Sequence, residues 1–103
     1  MQSITSAALK QKIDSGEYLQ LIDVRESFEH DEFNIGGILI PLGNIIQQMD
    51  KIDKERPVVI YCHKGIRSQL AIQRLQEKFP FTNLINLIGG TEAWRKEFKA
   101  LGL

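Results

Sequence analysis

The sequence predicts a single α/β domain over residues 1–103, organised around a mainly parallel sheet of about five strands with helices on both faces. Two observations lead to this fold class. Short apolar runs alternate along the chain with segments of helical periodicity, and neither a repeat nor a linker interrupts that alternation. The 103 residues fit one domain and one core.

The first elements are marked by capping and breaking residues. Thr5 or Ser6 can cap a first helix, and Gly16 can end it. The mostly apolar run 19–24 predicts a strand, and a charged segment, 25–32, follows it.

The middle of the chain continues the alternation. Residues 37–41 predict a second strand that ends at its proline, because proline cannot continue a central ladder. The apolar residues of segment 45–52 have helical spacing. Residues 58–61, Val-Val-Ile-Tyr, form the clearest buried strand of the sequence.

The last third predicts helix, strand and helix. Ala71, Leu75 and Phe79 recur every four residues on an amphipathic helix that Pro80 ends. A strand over 84–88 leads through two glycines to a helix capped by Thr91, in which Trp94 is assigned to packing. In such parallel sheets the reactive site forms beyond the carboxyl ends of the strands.

Composition excludes several classes of function. Thirteen basic residues balance thirteen acidic ones, which argues against a nucleic-acid partner. No apolar run approaches the ~20 residues that span a bilayer, and the N-terminus lacks the features of a secretory signal, so we expect a cytoplasmic protein without a membrane partner. The single cysteine permits neither an internal disulfide nor a cysteine-based metal cage. His30, in an acidic segment, lacks zinc-ligand spacing and is expected on a solvated face.

The loop after the third predicted strand carries the features of a reactive thiol. A lone cysteine is most often a small packing residue. Cys62, however, opens a loop that contains Gly65 and two cations, Lys64 and Arg67, and leads into a helix. Backbone N–H groups and the helix dipole favour a thiolate and an anionic ligand there. We therefore predict Cys62 as the nucleophile, with the rest of the site formed by its loop: His63, Lys64, Gly65, Ile66, Arg67 and Ser68.

At this point the sequence resembles a family. The loop Cys62-x-x-Gly-x-Arg-Ser is similar to the active-site loop of rhodanese (sulfurtransferase) domains. Asp-Val-Arg at 23–25, Gly-Gly-Ile-Leu-Ile-Pro at 36–41 and Gly-Gly-x-x-x-Trp at 89–94 resemble three further motifs of that family, in the same order. The chain length matches its single-domain members. The resemblance implies the rhodanese-like three-layer sandwich.

The resemblance also implies a reaction. A Cys62 thiolate would take the outer sulfur of thiosulfate or a similar anionic donor, and the resulting persulfide would pass that sulfur to a thiol, a thiol protein or cyanide. Lys64, Arg67 and Arg25 would stabilise the donor's charge, while Asp23 would hold an arginine or a loop N–H in place. No metal or organic cofactor is implied, because the cysteine itself carries the sulfur.

Two alternatives remain open from the sequence. The domain could be a relay carrier that receives persulfide sulfur from a protein donor. It could also act on phosphate or arsenate esters, although four residues separate Cys62 from Arg67, whereas phosphatases of related architecture use five. A binding module without catalysis would not need a cysteine in a basic loop.

Overall fold

A computed structural model describes residues 1–99. Within them the chain forms five strands and four α-helices, joined in part by short 3₁₀ turns. In chain order these are β1 (Gln2–Ile4), α1 (Ser6–Asp14), β2 (Gln20–Asp23), α2 (Ser27–Glu32), β3 (Ile38–Leu39), β4 (Val58–Tyr61), α3 (Ile66–Lys78), β5 (Leu84–Leu87) and α4 (Gly90–Phe98).

The strands form one parallel sheet in the order β1-β5-β4-β2-β3. The predicted α/β class and the five-stranded parallel sheet are therefore confirmed. Strand β4 lies at the centre, where Ile60 is opposite Ile22 of β2 and Asn86 of β5. Because all strands run the same way, the segments after Asp23, Tyr61 and Leu87 emerge at one edge of the sheet.

Alternate residues of β4 supply two separate cores. Val58 and Ile60 belong to a buried cluster on the α3 side of the sheet, which also contains Leu75. Val59 and Tyr61 belong to a second cluster that includes Leu9 of α1 and Trp94 of α4. The sheet is thus covered on both faces, as the continuous apolar character of β4 predicts.

Three local features of the structure differ from the sequence analysis or go beyond it. The charged segment after β2 contains a helix, α2, whose Glu26–Glu29 capping box fixes its start. Segment 45–52 forms 3₁₀ and other turns rather than an α-helix; Ile46, Met49 and Ile52 are three residues apart, which is the 3₁₀ repeat. Strand β1 was not expected, because only one of its three residues is buried.

Helix α4 also begins differently from the expectation. Its N-cap is Gly89, with φ +74°, and Thr91 lies within the first turn instead of capping it. The predicted roles of Thr5 as a cap, Pro80 as a stop and Trp94 as a packing residue are confirmed. None of the helices in residues 1–99 is long and apolar enough to cross a membrane.

Candidate active site

The sulfur of Cys62 lies inside a cradle of hydrogen-bond donors. Cys62 follows β4 directly, and its side chain is 1% exposed. Its Sγ accepts the backbone N–H of Gly65 at 3.1 Å and that of Ser68 at 3.4 Å, and the Ser68 hydroxyl lies 3.5 Å away. The first N–H groups of a helix have no partner within the helix, so here the start of α3 directs them at the sulfur.

Two glycines make this loop geometry possible. Gly65 is the N-cap of α3 with φ +90°, a conformation that side chains rarely adopt. Gly90, with φ +57°, packs so closely on the loop that a Cβ would lie 2.2 Å from the carbonyl oxygen of Cys62. The same contact is fixed by the Thr91 N–H, which donates to that oxygen at 2.9 Å. The turn after β5 therefore packs against the backbone of Cys62 and fixes its position.

A buried polar pair lies beneath the sulfur. The Ser68 hydroxyl donates to Oδ1 of Asn86, and both side chains are at least nine-tenths buried. Because its hydrogen is used by Asn86, the Ser68 oxygen presents a lone pair toward Cys62. Asn86 was not among the predicted site residues; its signal in the sequence is a single polar residue inside the apolar strand β5.

The cations of the loop differ in their pairing. Lys64 is exposed and forms no ion pair among residues 1–99. Arg67 instead makes a bidentate ion pair with Glu29 of α2, at 2.8 and 2.9 Å. The hydrogen bond from Arg67 lowers the pKa of Glu29 from 4.5 to about 2. Glu29 is a further residue that the sequence did not identify, since 38 positions separate the partners.

Asp23 and Arg25 form a second, more deeply buried pair. The guanidinium donates to both carboxylate oxygens at 2.8–2.9 Å and to the carbonyl of Phe33. Burial alone would lower the pKa of Arg25, but the bonds to Asp23 outweigh it and raise the pKa. Within residues 1–99 neither side chain hydrogen-bonds to the Cys62 loop. Arg25 thus stands as part of a structural pair rather than a free cation.

His30 is not on a solvated face, contrary to the expectation. Its Nδ1 lies 2.9 Å from Oδ2 of Asp23, and the side chain is 20% exposed. The imidazole therefore closes the Asp23–Arg25 pair from the α2 side, because helix α2 turns this face toward β2. The acidic neighbours of His30 in the sequence give no sign of this contact with Asp23, which lies seven positions earlier.

A cavity of about 160 Å³ opens over the cysteine; among residues 1–99 its lining comes from the loop and the start of α3: Cys62, His63, Lys64, Ile66 and Arg67. The His63 ring is exposed, with Nδ1 3.5 Å from the hydroxyl of Thr91. The Ile66 side chain is 71% exposed at the rim. In residues 1–99, no three His, Cys, Asp or Glu side chains are grouped as a metal site. The arrangement can hold a small group attached to sulfur.

Comparison with known proteins decides the family. The sequence model of the family described as "Rhodanese-like domain" matches residues 5–97 of this chain. The chain belongs to the rhodanese-like domain family. Solved rhodanese-like structures agree with this assignment: a rhodanese-like domain protein of Staphylococcus aureus superimposes with a TM-score of 0.82 at 29% identity, covering 91% of each chain. A rhodanese-related protein of Thermoplasma volcanium gives 0.81 at 26% identity, covering 94% of this chain and 93% of the other.

Among curated relatives, this rhodanese-like chain is similar to proteins that are named for sulfur transfer. "Putative sulfurtransferase YtwF" of Bacillus subtilis is 39% identical over 96% of this chain and 95% of its own length. "Putative sulfur carrier protein YrkF" of the same organism is 37% identical over 88% of this chain, which spans only about half (49%) of that relative. "Thiosulfate sulfurtransferase GlpE" of Coxiella burnetii is 37% identical over 73% of this chain and 70% of its own length.

Proposed function

We propose that the protein is a sulfurtransferase in which Cys62 carries a sulfane sulfur as a persulfide, with thiosulfate or a similar anionic compound as donor. The observation that carries this proposal is the pair of backbone N–H groups, from Gly65 and Ser68, that point at the Cys62 sulfur. Donors held rigidly at a helix N-terminus stabilise negative charge on the sulfur without reorganising.

The first half-reaction conserves atoms and charge. The Cys62 thiolate attacks the outer sulfur of thiosulfate, a new S–S bond forms, and the bond to the sulfonate sulfur breaks so that sulfite leaves with its electron pair. Cys62 then holds a persulfide anion. In the second half-reaction an acceptor thiolate attacks the terminal sulfur, and the Cys62 thiolate leaves. No cofactor takes part in either step.

The charged side chains would act mainly on the donor. Lys64 lies on the cavity wall without an ion pair among the described residues and can follow the sulfonate as it enters and leaves. Arg67 also lines the cavity, but it must share its guanidinium with Glu29. Arg25, paired with Asp23, would act by holding the β2 end in place, which makes it a positioning residue.

Steady-state kinetics with thiosulfate and cyanide test this proposal. A persulfide intermediate predicts parallel lines in double-reciprocal plots, because sulfite leaves before the acceptor binds. Intersecting lines would contradict the covalent cycle. An aryl phosphate serves as the control substrate: hydrolysis of it that depends on Cys62 would assign the site to phosphate chemistry instead.

A sulfur-relay carrier is the second candidate, supported by the similarity to a relative named as a sulfur carrier. In this case a protein persulfide would be the natural donor and thiosulfate a weak substitute. Saturation of Cys62 loading by a cysteine-persulfide donor protein, at a concentration far below that of thiosulfate, would favour the carrier.

A further inference from the structure

A larger cavity, of about 380 Å³, lies beside the cysteine cavity and has no role in the cycle described above. It opens between β1, the end of β5 and the start of α3, and we call it the β5–α3 cavity; its lining includes Ser3, Asn86 and Gln69. Lys64 lines both this cavity and the one over Cys62. One exposed cation is therefore shared between two cavities.

The polar groups of the β5–α3 cavity suit an anion. Asn86 is 5% exposed, and its Oδ1 accepts the Ser68 hydroxyl, whereas its Nδ2 has no hydrogen-bond partner among residues 1–99. The backbone N–H of Gly89, which also lines the cavity, has no acceptor in the same part of the chain. A buried donor without an acceptor costs free energy, which an oxyanion bound here would recover.

The charges of this cavity have one sign. Lys64 forms no ion pair, and no Asp or Glu lines the cavity, among the residues that the structure describes. Ile88, which is 48% exposed, adds an apolar wall. The volume falls within the range of sites for small organic molecules, which begins at about 300 Å³. An oxyanion with a short apolar body therefore fits better than a bare inorganic ion.

We propose that the β5–α3 cavity binds a small organic oxyanion, such as a sulfonate or a carboxylate, and that this occupant regulates the loading of Cys62 by taking Lys64 from the cysteine cavity. The oxyanion accepts hydrogen bonds from Asn86 Nδ2 and the Gly89 N–H and pairs with Lys64. Its apolar body packs on Ile88. The regulatory part of this inference rests on the proposed sulfur transfer, whereas the binding site does not.

Sharing of Lys64 couples the two sites. An ammonium group that pairs with the occupant is not available to the anionic donor, so each anion weakens the binding of the other. Because the cavities are distinct, both can be filled at once, and the inhibition reaches a limit. That limit is the KM for thiosulfate of a protein that lacks Lys64.

Binding is tested by NMR with 1-butanesulfonate as the probe, in protein labelled on its amide and isoleucine methyl groups. We expect saturable shifts of the Asn86 side-chain amide and the Ile88 methyl groups, with no comparable shift at Ile66, which lines the cysteine cavity. Butyltrimethylammonium, with the same apolar body and the opposite charge, should shift neither. Shifts centred on Ile66, equal shifts with the cation, or no saturable shift would overturn the site. This arm needs no sulfur transfer, so if thiosulfate fails to load Cys62 only the proposed function falls.

A pair of variants separates the cavity from the overall charge. Ile88→Glu places a carboxylate on the cavity wall and should weaken butanesulfonate binding at least tenfold, because like charges repel. Ile38→Glu makes the same change at 40% exposure on β3, at the opposite edge of the sheet from β1, and should bind like the wild type. Equal weakening in both variants would contradict binding in the cavity.

Kinetics of sulfur transfer test the regulatory part. Increasing butanesulfonate should raise the KM for thiosulfate to a plateau about fivefold above its starting value, the effect of losing one exposed ion pair, with kcat unchanged. Lys64→Ala should start at the plateau value and be insensitive to butanesulfonate. A KM that rises without a plateau would place the anion in the cysteine cavity, and a KM that does not change would contradict the sharing of Lys64.

Discussion

The inside and the rim of the cysteine loop use different means to handle negative charge. Inside, the Cys62 sulfur accepts hydrogen bonds from two backbone N–H groups, and no charged side chain hydrogen-bonds to it within residues 1–99. At the rim, the Glu29 carboxylate holds Arg67, whereas Lys64 forms no ion pair among the described residues. Fixed backbone dipoles therefore surround the sulfur, whereas the positive charge available at the rim depends on how the side chains are paired. In the proposed reaction, this difference would separate formation of the persulfide from recognition of its donor.

Replacing the sulfur should have the largest effect. Cys62→Ser keeps the shape of the side chain and the cradle but substitutes a hydroxyl that is a far weaker nucleophile, so sulfur transfer should fall by roughly a thousandfold or more. Turnover with thiosulfate and cyanide measures it, and circular dichroism checks that the fold is kept. Transfer that persists in this variant would mean that a residue other than Cys62 takes up the sulfur from the donor.

The cradle should be the next most sensitive region. In Gly90→Ala the new Cβ would lie 2.2 Å from Cys62 O and 2.6 Å from His63 O, so the loop must shift. We expect a loss of about 2–4 kcal/mol in the free energy of unfolding and slower persulfide formation. Gly16→Ala is the matched control, since its φ is also positive (+73°) but nothing lies within 4 Å of a Cβ. Equal losses in the two variants would show that only backbone conformation matters.

Substitutions in the Arg67–Glu29 pair at the rim should have smaller effects, and the two variants should change kcat/KM in opposite directions. Arg67→Ala removes a cation from the cavity wall and should lower kcat/KM for thiosulfate about tenfold. Glu29→Gln releases the same guanidinium and should raise kcat/KM about threefold. Kinetics with thiosulfate measure both. A decrease in both variants would mean that Arg67 must be held by Glu29 to function. It would contradict the expectation that Glu29 limits the positive charge that Arg67 offers to the donor.

The smallest effect concerns stability and pH. The folded pKa of Glu29 is about 2, below its ordinary value of 4.5, so the Arg67–Glu29 pair stabilises the fold fully above pH 4.5 and loses this contribution as the pH falls toward 2. Wild type should therefore exceed Glu29→Gln in unfolding midpoint at about pH 7, and the gap should narrow at about pH 3. Urea unfolding at both values measures it; a gap independent of pH would exclude the ion pair as its cause.

The same contrast explains how far the sequence could predict the molecule. The central strand, the loop and helix α3 follow from local signals: a run of β-branched residues, a glycine and an amphipathic repeat. The side-chain pairs around the loop do not follow from local signals. Glu29 contacts Arg67 across 38 positions, and His30 contacts Asp23 only once α2 has packed on the sheet. Strand β1 escaped prediction for a similar reason, since a three-residue edge strand is defined by its pairing with β5 and not by its own pattern.

Intact-protein mass spectrometry tests the central claim most directly. The protein is incubated with thiosulfate in the absence of reductant, then treated with a thiol acceptor, beside Cys62→Ser under the same conditions. The account predicts the gain of one sulfur atom that maps to Cys62, its loss after the thiol is added, and no gain in the variant. A wild-type protein that gains no sulfur, or gains it at the same level in Cys62→Ser, would contradict it.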